Sequence, residues 1–220
     1  TNVDNGESIA VDLFGNIYIT GFFKDTIDFD PNSGTVSVTA TGGQDVFVEK
    51  LDASGNLVWV KTMGGFGNDY AQGLAVDSVG NVCVIGTFAD IVDFDPNAGT
   101  TYLSSVGDRD IFIQKLDASG NLVWAKAMGG IFADYGEDIA LDSSGNVYTI
   151  GSFQKTVDFD PSSNLYELTS FGGNDIFVSK LDPNGNFVWA RTKKTYRLLH
   201  VAALTCLYLS FSCQSIFAIQ

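Results

Sequence analysis

Apolar residues in this chain fall in short dense runs rather than at the three-to-four spacing of an amphipathic helix. Residues 81–88 read N-V-C-V-I-G-T-F, residues 110–116 D-I-F-I-Q-K-L and residues 122–128 L-V-W-A-K-A-M. β-Branched and aromatic side chains dominate these runs, as they do in strands. Several runs are apolar at successive positions, so their strands are expected to be buried on both faces. Between the runs the pattern D-x-x-G-N begins at Asp12, Asp52, Asp77, Asp117, Asp142 and Asp182. Aspartate opens a type I turn through its side chain, and glycine at the fourth position takes the left-handed conformation that closes a hairpin with a bulge. Six such turns predict six hairpins.

The hairpins are organised by a repeat. Residues 115–130, K-L-D-A-S-G-N-L-V-W-A-K-A-M-G-G, recur almost unchanged at residues 50–65 and begin again at Lys180. Residues 1–65 and 66–130 are about half identical, and residues 131–192 form a third copy. A period this long marks a supersecondary unit that buries its faces only against its neighbours. Two hairpins per unit give four antiparallel strands, which is the blade of a β-propeller; a parallel β-helix would need shorter coils. The fold expected is therefore all-β, a propeller sector of three four-stranded antiparallel blades at 1–65, 66–130 and 131–192. The strand carrying Ala10, Ala75 or Ala140 is small enough to lie innermost. Closed propellers have at least four blades, so the sector should be incomplete, with apolar faces open at both ends and available for self-association.

The segments A-V-D-L-F-G-N-I-Y-I-T-G, A-V-D-S-V-G-N-V-C-V-I-G and A-L-D-S-S-G-N-V-Y-T-I-G, with the D-I-F-I-Q-K-L-D-A-S-G-N-L-V-W half, resemble the bacterial seven-bladed β-propeller (SBBP) repeat and, more distantly, NHL repeats. The resemblance covers residues 1–192. It implies a propeller, often in exported or cell-surface bacterial proteins, with no shared catalytic activity. This unit departs from the pattern in carrying an insertion between its hairpins, residues 91–106 in the second copy.

Charge and cysteine usage narrow the partners. The net charge is −14, and Arg191, Lys193, Lys194 and Arg197 lie at or beyond the end of the repeats with no acid among them, so the repeats are more acidic still. Such a surface repels nucleic acid and anionic membrane. Cys83 sits where the other copies have Tyr18 and Tyr148, which suggests a buried strand residue. Residues 193–220 break the repeat where Met-Gly-Gly is due, and are expected to be foreign to it. Their apolar stretch, 198–219, is read as the product of a reading-frame or assembly fault, the alternative being a true membrane anchor.

The insertion holds the candidate metal site. D-F-D-P-N places Asp28, Asp30 and Asn32, and again Asp93, Asp95 and Asn97, at alternate positions on one side of an extended chain; the third copy keeps Asp158 and Asp160 but loses the amide. Oxygen ligands spaced in this way suit calcium, although the EF-hand pattern is imperfect and an acidic strand end running into a proline turn is the simpler reading. Trp59, Trp124 and Trp189 are expected to pack between blades rather than form a sugar platform. Asp45, Asp110 and Asp175 are expected to bond neighbouring backbone, and Lys50, Lys115 and Lys180 to make rim ion pairs. The single histidine, His200, lies beyond the repeats, so no His-based triad or zinc site can be built within them. The acids repeat at equivalent positions, which points to structure or multivalent binding instead of catalysis. The expected function is a non-catalytic module of an extracellular or cell-surface protein, scaffolding or binding a protein or glycan partner, with calcium as a candidate stabiliser. The alternative is a carbohydrate-active hydrolase or lyase.

Overall fold

The structure is a computed structural model and describes residues 4–193. The apolar stretch at 198–219, His200, Cys206 and Cys213 lie outside the described residues, as does all but the first residue of the segment 193–220. Fourteen strands and no helix occur among the described residues. The first blade is β1 (Asn5–Val11), β2 (Ile17–Asp28), β3 (Ser37–Leu51) and β4 (Leu57–Met63), paired antiparallel in that order. The second comprises β5 (Tyr70–Val76), β6 (Val82–Phe88), β9 (Asp110–Leu116) and β10 (Leu122–Gly130). The third comprises β11 (Tyr135–Leu141), β12 (Val147–Asp158), β13 (Glu167–Leu181) and β14 (Phe187–Lys193). The three-bladed propeller sector expected from the sequence is present. The small-residue strands β1, β5 and β11 lie side by side at its inner edge.

Each turn is built as its residues dictate. In the second blade, Asp117 Oδ1 accepts from the backbone N–H of Ser119 and Asn121, while Asn121 Nδ2 donates to Asp117 Oδ2 at 2.9 Å. The glycines at the fourth position have φ from 78° to 86° in all six turns. Burial follows the position of the blade in the stack. In the middle blade every residue of β6 and β9 is buried, because a sheet covers each face.

The insertion is a two-stranded arm continuing the middle strands of each blade. In the first and third blades it is continuous with β2–β3 and β12–β13; in the second it is β7 (Ile91–Asp93) paired with β8 (Tyr102–Ser104). Asp25, Asp90 and Lys155 mark the bend at equivalent positions, with φ of 62°, 62° and 58°. In the first and third blades the register shifts there by three residues, a step of two on one strand opposing a step of five on the other between Lys24↔Gln44 and Thr26↔Thr39 and between Gln154↔Asn174 and Thr156↔Thr169. The arm folds an aromatic plug into the blade: Phe94 meets Phe88 edge-on at 5.5 Å and Phe112 at 4.9 Å, and Phe29 and Phe159 repeat the arrangement. The Phe of D-F-D-P is thus a core residue. The arms also clip blades together, for Gly129 and Gly130 of β10 pair with Asp158 and Val157 of β12, and Gly64 bridges to Asp93.

A second contact ties each blade to the next. Trp59 Nε1 donates to the carbonyl of Ala118 at 3.2 Å, and Trp124 Nε1 donates to that of Pro183 at 3.1 Å, each in the outer turn of the following blade. Lys50 and Lys115 donate to the same carbonyls, both at 3.3 Å. Those lysines therefore cap backbone across the blade junction, where rim ion pairs were expected of them. The tryptophans pack between blades, as expected. Glycine at the turn is required twice over. A methyl group on Gly185 would lie 2.9 Å from Trp124 Cδ2, whereas one on Gly55 would meet nothing within 4 Å.

The difference can be measured. Gly55→Ala should cost about 1–2 kcal/mol from its left-handed backbone alone. Gly185→Ala should cost more because it also displaces the indole, and denaturant midpoints of the two variants should separate in that order. Equal losses would show that the tryptophan contact contributes nothing.

Candidate binding surfaces and their buried acids

The blade stack has two unlike ends. All six D-x-x-G-N turns lie at one, and the connections between blades lie at the other, from which the arms leave. At the turn end the carboxylates of Asp52, Asp142 and Asp182 are held below the usual range, first by the side-chain amides of Asn56, Asn146 and Asn186 and then by backbone N–H groups. A groove of about 470 Å³ opens there between the second and third blades, lined by Asp77, Ser78, Lys115, Asp142, Ser144 and Pro183 among others. Ser78, Ser143 and Ser144 are exposed on its walls.

At the arm end the candidate calcium residues are turn formers. Asp28 Oδ1 accepts from the N–H of Asp30 and Val36, Asp93 Oδ1 from Asp95 and Thr101, and Asp158 Oδ1 from Asp160 and Tyr166. Asp30, Asp95 and Asp160 accept in turn from the N–H of Asn32, Asn97 and Ser162. Asn32 reaches Asn56 at 3.4 Å, and Asn97 Oδ1 accepts from Lys61 Nζ at 2.7 Å. Asp158, Asp160 and Asp110 line one cavity of about 180 Å³ between the third blade's arm and the second blade. Among the described residues no group of three or more His, Cys, Asp or Glu is arranged to hold a metal ion.

Two further acids escaped the sequence reading. Asp69 and Asp134 lie on the connections between blades and are fully buried. Asp69 accepts from the N–H of Gly65 and Ala89, and Asp134 from Gly130 and Gln154. Burial raises each to about 7, and the charges of Asp45 and Asp110, respectively, push in the same direction. Asp45 and Asp110 are themselves buried and raised by desolvation, Asp110 to about 6. Their Oδ2 atoms accept from the N–H of Thr41 and Val106, in line with the backbone role expected of them. The first glycine of Met-Gly-Gly makes room for this acid, since a methyl group on Gly64 or Gly129 would lie 2.1 Å from Cγ of Asp45 or Asp110. The signal was the dipeptide Asp-Tyr at positions 69–70 and 134–135; the first copy hides it with Asp4-Asn5.

Raised carboxyl pKa values in a cleft would mark an active site. Here Asp45, Asp69 and Asp134 lie inside blade junctions, while Asp110 lines the cavity it shares with Asp158 and Asp160. Cys83 is likewise buried, its thiol pushed up to about 12 by desolvation, so it is a packing residue.

Comparison with known proteins agrees with this geometry. Residues 1–21 and 123–152 match the SBBP beta-propeller repeat family. The chain is 30% identical over 157 residues to an uncharacterized WD repeat-containing protein, L264, of Acanthamoeba polyphaga mimivirus, covering 67% of this chain and 11% of that protein. It is 29% identical over 149 residues to the regulatory protein FlaEY of Caulobacter vibrioides, covering 66% of this chain and 15% of that protein. The chain thus spans only a small part of the length of either relative. It carries SBBP-type β-propeller repeats, and repeat family and relatives alike support a non-catalytic propeller module.

Two outcomes follow from the acids. Groups raised in the folded state bind more protons there than in the unfolded chain, so stability falls as pH rises from about 4, the unfolded value, through about 7. The lowered turn aspartates act oppositely and lose their contribution below about pH 4. Melting temperature should therefore peak in mildly acid buffer, and Asp69→Asn should flatten the descent toward pH 8; a wild-type optimum above pH 7 would contradict the assignment. Separately, Asp93→Ala should destabilise by about 1–3 kcal/mol in the presence of chelator as much as in its absence, because the bonds it removes are to backbone N–H groups.

Proposed function

We propose that this chain is a binding module that presents the acidic groove of its turn end to a basic segment of a protein partner, within an exported or cell-surface protein. The observation that carries the reading is the groove itself. Its carboxylates, Asp77 and Asp142, are fixed by their turns; its floor is the junction of two blades; and it lies in a chain of net charge −14. Preorganised acids on a rigid scaffold favour lysine- and arginine-rich chains and speed their encounter. A protein partner is favoured over a glycan because Trp59 and Trp124 are committed to blade junctions. Similarity to a WD repeat-containing protein supports an interaction role.

Calorimetry with a short lysine- and arginine-rich peptide tests this. Binding should weaken with added salt, and Ser78→Arg with Ser144→Arg should weaken it on the order of tenfold while leaving the melting temperature unchanged. No heat at low salt, or binding indifferent to the two substitutions, would sink the proposal.

A further inference from the structure

The groove at the turn end occupies the place of a missing tyrosine ring, and we infer that it takes the phenol side chain of a tyrosine carried by the bound segment. The inference rests on the reading above, that a protein segment lies in this groove, and adds which side chain enters it.

The repeat supplies its own comparison. Tyr18, Lys50 and Trp59 lie in one cross-strand row of the first blade, and Tyr148, Lys180 and Trp189 in the same row of the third. The second blade has Cys83, Lys115 and Trp124. Where tyrosine is present its surroundings are the same each time. The Tyr18 hydroxyl donates to Asp12 Oδ2 at 3.2 Å, and the Tyr148 hydroxyl to Asp142 Oδ2 at 3.1 Å. The ammonium groups of Lys50 and Lys180 each stand 4.9 Å from the ring centroid. Trp59 and Trp189 meet the ring edge-on at 6.3 and 6.4 Å.

The second blade keeps each of these partners and lacks the ring. Asp77 Oδ2 accepts from Asn81 Nδ2 at 2.7 Å, and among the described residues no hydroxyl donates to it. Lys115 and Trp124 likewise have no ring against them among the described residues, and the charges of Lys115 and Asp77 fall instead on the small Cys83 thiol. The vacancy shows in the facing turn. At the first junction the Tyr18 hydroxyl reaches Gly80 of the next blade, where an added methyl group would lie 3.2 Å from it. At the second junction the equivalent glycine, Gly145, has only Pro183 within 4 Å of that place, at 3.6 Å. The groove of about 470 Å³ opens there, between Asp77 and Lys115 on one side and Asp142, Gly145 and Pro183 on the other. A thiol in place of a phenol thus leaves a tyrosine site without its tyrosine.

The chemistry of the site favours a phenol over other side chains. The Lys115 ammonium repels a lysine or arginine head group placed beside it and attracts the face of an aromatic ring. Asp77 Oδ2 accepts a charge-assisted hydrogen bond from a phenol hydroxyl, which phenylalanine cannot give. Basic residues on either side of the tyrosine remain free to meet the acids of the turn end.

Calorimetry on the full chain tests the inference with three lysine- and arginine-rich peptides that differ at one central position, held by tyrosine, phenylalanine or alanine. The tyrosine peptide should bind on the order of tenfold more tightly than the alanine peptide, with phenylalanine between them. Cys83→Tyr supplies the ring from within the chain and should bring the tyrosine peptide down to the level of the alanine one. The comparison of peptides on the wild type needs no variant, so it decides the matter even if Cys83→Tyr folds poorly. Equal binding of all three peptides to the wild type would overturn the inference and leave the basic-segment reading standing. No heat from any of them would remove both. A preference for tyrosine that survives in folded Cys83→Tyr would place the ring elsewhere and overturn the inference alone.

Discussion

The structure depends on one contact, an indole ring lying over a left-handed glycine in the turn of the next blade. Its N–H donates to the carbonyl two residues before that glycine, and a lysine from the neighbouring strand reaches the same oxygen. A single hydrogen bond of this kind contributes about 1 kcal/mol net. The larger effect is geometric, since tryptophan and glycine fix the spacing and tilt at which two sheets meet. The 65-residue period is this contact translated from blade to blade.

Around that contact the chain solves a problem set by its own charge. Acidic sheets stacked face to face would repel. The acids at the junctions, Asp45 with Asp69 and Asp110 with Asp134, lie where desolvation favours their protonated forms. The backbone N–H groups of Gly65 and Gly130 meet the second acid of each pair, while Gly64 and Gly129 leave room for the first. The Met-Gly-Gly motif is thus the seat of a carboxyl pair. Its two glycines have different tasks.

Much of this was legible in the sequence because the chemistry is local. Asp, Gly and Asn at fixed offsets encode each turn without reference to any other part of the chain, and residues 82–88 are apolar enough to announce a doubly covered strand. The arm was not legible. Phe94 sits among Asp, Pro, Asn and Gly, which read as an acidic strand end running into a proline turn, and the bend at Asp25, Asp90 and Lys155 uses left-handed residues that are not glycine, leaving no local mark. The same acids invited a metal reading, since D-F-D-P-N specifies an oxygen-rich turn whether its partner is an ion or the backbone. Asp69 and Asp134 were missed for a different reason. Their burial is created by the neighbouring blade, and only a period-65 comparison of Asp-Tyr would have singled them out.

Each blade is made of four strands consecutive in the chain, and this orders events during synthesis. The first blade is complete once β4 has emerged, yet the face carrying Tyr18, Val46 and Met63 stays uncovered until the second follows. At ribosomal speeds of about 5–20 residues per second, a 65-residue repeat takes roughly 3–13 s to appear. Nascent chains on one messenger therefore expose matching half-built faces to each other for seconds at a time. Near-identical strands such as β4 and β10 are then as able to pair between chains as within one, and the spacing of ribosomes becomes a determinant of the yield of correctly folded protein.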